Sequence, residues 1–163
     1  MTDQLAQLAE PFPQSLIQKN PTGFGSYVKH SVVVEKLLAV VGPFDFRIVR
    51  EIRDADTGHI CGVIGELSVE IDGRTTTVQD AGDCERPENW PHDGARMKDA
   101  VSDSLKRCAA RIGVGTHLWS SDQYRLDRAL ERNAEVEREV QRAAREDFLR
   151  EREERLAQQD GAA

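Results

Sequence analysis

The spacing of apolar residues changes three times along the chain. From Ser31 to Val41 the run SVVVEKLLAVV places Val33, Leu37, Leu38 and Val41 on one helical face, and Gly42-Pro43 stops it firmly. Ser31 reads as the N-cap. The valines also suit a strand, so helix is preferred here on pattern and not on composition. The period then drops to two. Phe44, Phe46, Ile48 and Ile52 alternate with Asp45, Arg47, Glu51 and Arg53. After an Asp-Ala-Asp-Thr-Gly turn at 54–58, Cys61, Val63, Leu67, Val69 and Ile71 alternate with Ile64, Glu66, Ser68 and Glu70. Asp72-Gly73 is a tight-hairpin signal, and the threonine-rich stretch from Arg74 to Asp80 reads as the next strand. Residues 44–80 therefore predict an antiparallel meander of three strands with one apolar face.

The helical period returns in KDAVSDSLKRCAARIGVG, Lys98 to Gly115. Met97, Val101, Leu105, Cys108 and Ile112 share a face, which can cover the sheet. Lys98, Lys106, Arg107 and Arg111 lie off it, and Gly113 and Gly115 end the helix where a left-handed residue is wanted. On pattern alone this is a packed surface helix with a solvated, charged side.

The flanks are less regular. Met1 to Tyr27, punctuated by Pro11, Pro13, Pro21, Gly23 and Gly25, reads as an irregular arm in which Phe12, Leu16 and Ile17 can dock on this subunit or a neighbour. Asp80 to Gly94 reads as a polar loop. Its acids Asp80, Asp83, Glu85 and Glu88 raise the question of a divalent metal, but no Glu-x-Lys follows at nuclease spacing and no His/Asp cluster completes a shell. Trp119 and Tyr124, in the connector GTHLWSSDQY, are able to stack on bases, although such residues more often pack on a core. From Asp122 to Gln159 Arg and Glu dominate, and Leu126, Leu130, Val136, Val140, Ala144 and Phe148 form an interrupted stripe. This is a solvated or partly disordered helical tail carrying more acid than base.

Length and charge narrow the picture. The 163 residues allow one domain with chain to spare, and a net charge of -7 means that any nucleic-acid site is a local cationic strip in an acidic envelope. The 3 cysteines, an odd number without a CxxC pair, favour reduced thiols in the cytoplasm. With no leader-like or membrane-length apolar run, the expectation is a soluble intracellular protein.

The order of these parts resembles the Rad-fifty-two-type single-strand annealing proteins, including the phage Sak branch and the deinococcal DNA-damage-response protein A branch. The family's central helix typically reads K-E-A-V-T-D-A-L-K-R, then an aromatic or apolar residue and Gly. Lys98, Asp99, Ala100, Val101, Ser102, Asp103, Leu105, Lys106, Arg107 and Gly113 match it in order, and Asp122 and Tyr124 match the D-x-Y that closes the next segment. The resemblance covers about residues 27–126. It implies an α+β protein with a β-β-β-α core, its three-stranded antiparallel sheet packed on the central helix. It divides the chain into an arm (1–26), an annealing domain (27–126) and a charged tail (127–163). It also implies a closed homo-oligomeric ring that holds single-stranded DNA in a basic groove and anneals complementary strands in recombination and double-strand break repair. No ATP, metal or other cofactor is used, and the protein is not an enzyme.

Lys106 and Arg107 carry over as phosphate contacts, Lys98 and Arg111 by proximity on the helix, and Lys29 or His30 as a stand-in for a family arginine whose aligned position is Val32. The chain departs from the family again at Pro43, where an aromatic is usual, and at Ala110, where a second basic residue is usual. The tail is a candidate contact for a single-strand-binding protein or a recombination partner in a bacterial or phage-infected cell. Alternatives are protection of single-stranded ends and, in a different class, a metal-dependent nuclease using Asp80, Asp83 and Glu85.

Overall fold

The computed structural model describes residues 3–19, 25–120 and 125–160, of which 125–133, 151 and 153–160 are described by backbone alone. The chain divides into two compact units, 1–124 and 125–163. The first is a mixed α+β unit in which a three-stranded antiparallel sheet packs against helices.

The sheet is a meander of β3 (Asp45–Arg53), β4 (Ile60–Ile71) and β5 (Arg74–Asp83), in the order β3-β4-β5. Asp72 and Gly73, both at positive φ, make the two-residue turn between β4 and β5 that the Asp-Gly pair predicts. Two expectations need correction. β5 runs to Asp83, so Asp80, expected at the boundary between strand and loop, lies inside the strand. Pairing Cys61 and its neighbours with the segment after Asp80 continues the ladder that threonine content alone ends too early. β3 also breaks its alternation. The register slips between Ile48 and Arg50, leaving Ile48 and Val49 exposed.

The two sheet faces differ in chemistry. Val63, Gly65, Leu67, Val69 and Ile71 of β4 point to the helices and are buried. The opposite face is polar. Glu66 accepts from Arg47 Nε and Gln79 Nε2, both at 2.6 Å, and Ser68 and Thr77 share a 2.9 Å hydroxyl bond. Such cross-strand pairs lock register without needing a second layer.

Helix α3 (Asp93–Arg111) crosses the buried face. Its N-cap is His92, whose Nδ1 accepts from the Ala95 N–H at 3.2 Å. Ala100, Ser104, Leu105, Cys108 and Ala109 are buried beneath it, and the chain leaves it through Gly113 and Gly115 at positive φ. The crossing is unusually close because β4 and β5 carry glycine there. A Cβ at Gly65 would collide with Ser104 Oγ, and one at Gly82 with the backbone of Ala100 and Ser104.

Helix α2 (His30–Val41) packs on α3 through Val33 and Leu37. Its N-cap is Lys29 and not Ser31, and no side chain caps it. The helix starts two residues earlier than that cap implies, leaving Ser31 inside its first turn. The N-terminal arm is not irregular throughout. Asp3–Ala9 forms α1, Gln14–Leu16 a 3-10 turn, and β1 (Gln18–Lys19) pairs antiparallel with β2 (Ser26–Tyr27). Leu8 and Ala9 seat α1 in the core of this same subunit. Gln4 ties it at both ends of its amide, accepting from Asp72 N–H at 2.5 Å and donating to Val40 C=O at 2.9 Å. Pro11 then ends a helix too short to be read from periodicity. Leu8, Leu37 and Leu67, all fully buried, contribute about 1.5–3 kcal/mol each.

The second unit contains α4 (Arg125–Asp160), whose described side chains are exposed. No helix among the described residues is long and apolar enough to cross a membrane.

Candidate nucleic-acid interface

The outer side of α3 lines a groove of about 710 Å³. Asp103, Lys106, Arg107, Ala110 and Arg111 form its floor, the three- and four-residue steps keeping them in one line. Asp80 of β5 and Glu85 also line it, as do Tyr27, Val28 and Val33, and Val114, Gly115, Leu118 and Trp119 beyond the end of α3. Of the cations expected to act together, Lys106, Arg107 and Arg111 meet in this groove. Lys98 and Lys29 are exposed but do not line it. Lys98 precedes Lys106 by eight residues, about 12 Å along the axis, so it faces outward near the opposite end of α3.

Asp80 organises the floor. Its register partner is Gly65, so its side chain points to the α3 side of the sheet, from an edge strand. Arg111 Nε donates to Asp80 Oδ2 at 2.7 Å, and Arg107 Nε lies 3.6 Å from Oδ1. Ser104 Oγ donates to the Asp80 carbonyl at 2.9 Å, pinning the backbone beneath. The carboxylate is only 15% exposed. Burial pushes its pKa up, but the Arg111 hydrogen bond, the Ala81 N–H and the charges of Arg111 and Arg107 outweigh that, holding it below the usual carboxylate range. Lys106 pairs with Asp103 at 3.6 Å. Desolvation drives the Asp103 carboxyl upward despite Lys106, and the neighbouring charge of Asp83 adds to the rise.

The lining thus carries Lys106, Arg107 and Arg111 against Asp80, Glu85 and Asp103. It is balanced in charge, whereas the resemblance implies a basic groove. Any anion entering the groove has to compete with these carboxylates for the cations.

Sequence reading missed Asp80 in this role, although the signal was present. Thr76, Val78, Asp80 and Gly82 share the inner face by period two, and an acid at an inward edge position needs a cation. It also missed Arg96, which is 5% exposed and holds the 84–92 loop shut. Arg96 Nε donates to Pro87 C=O at 2.8 Å and Nη2 to Trp90 C=O at 2.7 Å, with Nη1 at 3.2 Å from Asp93 Oδ1.

Trp119 does not pack on the core: it is 75% exposed at the groove end. Tyr124 lies outside the described residues. Cys84 and Cys108 are buried free thiols, and burial with the nearby Asp99 carboxylate pushes Cys84 up to about 11, far from a reactive thiolate. Among the described residues no group of His, Cys, Asp and Glu is arranged to hold a metal ion, and the acids of the 80–88 segment do not converge.

No known family model matches the chain, and no curated protein does either.

Proposed function

We propose that this chain binds single-stranded DNA in the α3 groove and promotes annealing of complementary strands without ATP, metal or covalent chemistry. The observation that carries the reading is the alignment of Lys106, Arg107 and Arg111 along one groove on a β-β-β-α unit. Annealing requires that two polyanions approach, so phosphates must be neutralised while base edges stay free. Cations along a helix side, with no base-reading amides among them, suit that task. The sequence order K-D-A-V-S-D-S-L-K-R supports the same reading.

The protein acts as a homo-oligomeric ring in the DNA repair of a bacterial or phage-infected cell. Among the described residues β3 and β5 are edge strands, 9 and 10 residues long. Edges of that length invite pairing with further copies, and a closed cycle would leave none exposed.

Mixing complementary oligonucleotides with the full chain, without ATP or magnesium, tests the function. The expected result is accelerated pairing and single-strand binding that weakens steeply with salt. Lys106→Ala/Arg107→Ala should return pairing to the spontaneous rate. A double variant that binds and anneals like the wild type would remove the groove assignment. Binding that shields ends from nuclease without speeding pairing would replace annealing with end protection.

A further inference from the structure

The groove has an aromatic end as well as a charged floor. Trp119 is far more exposed than Trp90, which donates its indole N–H to Glu85 C=O at 3.4 Å. Among the described residues Trp119 has neither a ring partner nor a side-chain hydrogen bond. A scattered exposed apolar residue is ordinary on a protein surface. The support beneath this one is not.

Gly115, at φ 71°, turns the chain into the 3-10 turn Thr116–Leu118, and the Trp119 N–H closes it on Thr116 C=O at 3.2 Å. Thr116 Oγ1 donates back to Gly113 C=O at 3.1 Å, and Ser120 Oγ to His117 C=O at 3.2 Å. The turn is bolted to the core, since the Phe12 N–H donates to His117 Nε2 at 3.2 Å and Leu118 packs on the buried cluster. A rigid turn thus holds an indole in water at the end of a groove floored by Arg107 and Arg111, and Tyr27 lines the same groove.

We propose that Trp119 is a stacking platform for an unpaired nucleobase, and that it makes the groove selective for single strands. This deepens the reading of the groove as a DNA site and rests on it. With a phosphate on the arginines, the adjoining base of a flexible strand can lie on the indole face. Bases inside a duplex are already stacked and cannot. Stacking occupies the π-face of a base and leaves its Watson–Crick edge open, so the platform is compatible with pairing to a second strand and tolerant of sequence.

Fluorescence polarisation with two probes of equal length and charge, oligo(dT) and a fully abasic strand, tests the platform. Trp119→Ala in the full chain should weaken oligo(dT) binding by about 5- to 100-fold and abasic binding by less than about twofold. Trp119→Phe should recover most of the loss. In a Trp90→Phe background, oligo(dT) should quench the remaining tryptophan emission. Equal losses on both probes, no loss on either, or unquenched emission would overturn the platform. If wild type binds neither probe, the DNA reading itself fails. If Lys106→Ala/Arg107→Ala abolishes binding and Trp119→Ala leaves it intact, only the platform fails.

Discussion

Helices α3 and α4 are both rich in arginine paired with acids, yet the pairs do different things. In α3, Arg107 and Arg111 reach across to Asp80 on a neighbouring strand, and Arg96 reaches loop carbonyls. In α4, Arg150 pairs with Asp147 one turn away at 2.8 Å, both side chains about two-thirds exposed, and Arg138 Nε returns to the carbonyl of Ala134 on its own helix. A local pair in water is worth about 0–1 kcal/mol and fixes no direction in space. A pair to another element aims the cation and gives it a tertiary role. The apolar faces differ in the same way. Ala100, Leu105, Cys108 and Ala109 are buried, whereas Val136, Val140 and Phe148 are exposed.

The largest break in this contrast should come from Gly82→Ala. The new methyl would meet the backbone of Ala100 and Ser104, which cannot rotate away, so α3 must lift from the sheet. We expect a loss of at least about 3 kcal/mol in urea denaturation, or failure to fold. Val140→Ala in α4 should change stability by no more than about 0.5 kcal/mol. Similar values for the two would mean that α3 does not depend on the glycine contact.

Next in size is the pair Arg96→Ala and Arg150→Ala. The first removes a buried guanidinium and its charge-assisted bonds to the Pro87 and Trp90 carbonyls of a largely exposed loop, costing about 2–3 kcal/mol. The second removes an exposed one-turn pair and should cost under about 0.5 kcal/mol. Matching melting shifts in the two variants would erase the distinction between tertiary and local arginines.

How much of this was legible follows the same division. Period-two alternation, the Asp-Gly turn and the glycine stop of α3 are local signals, and the chain carries them plainly. They place a three-stranded antiparallel sheet against a helix. The 3.6-residue spacing also identifies Lys106, Arg107 and Arg111 as neighbours. What spacing cannot say is where a groove lies around and along the helix, so Lys98 looked equivalent to Arg111. Asp80 is obscured because the threonine-rich pattern places it at the last strand position, on the boundary with the loop, where its inward direction is not evident. α1 has seven residues, fewer than two full turns, and is held by packing of Leu8 and by Gln4. Its stability is tertiary, and proline punctuation nearby hides it.

A smaller effect is expected from Asp80→Asn. The backbone carbonyl that accepts from Ser104 is untouched, so stability should fall by no more than about 1 kcal/mol. Arg107 and Arg111 lose their resident anion, and affinity for oligo(dT) should rise by about three- to tenfold. Asp147→Asn, whose arginine is already in water, should alter neither quantity. Weaker binding by Asp80→Asn would mean that Asp80 orients the arginines for DNA more than it competes with phosphate.

The subtlest effect separates Asp80 and Asp103, two of the three acids lining the groove, by pH. Asp80 has a lowered pKa, so its contribution to stability is present above the unfolded value and is lost as pH falls through the folded one. Asp103 has a raised pKa, so its contribution is present below the unfolded value and is lost as pH rises through the folded one. On acidification Asp103 therefore takes a proton first, and Lys106 is released while Asp80 still holds Arg107 and Arg111. Phosphodiesters stay anionic throughout, so oligo(dT) binding should strengthen as the pH is lowered from neutral into the range where Asp103 takes its proton, by under about threefold for one half-buried pair. Asp103→Asn should bind at pH 7 as tightly as the wild type does at the lower pH, with a flatter profile. A wild-type affinity that falls on acidification, or a rise that persists in Asp103→Asn, would assign the dependence to another group and leave Lys106 paired in the bound state.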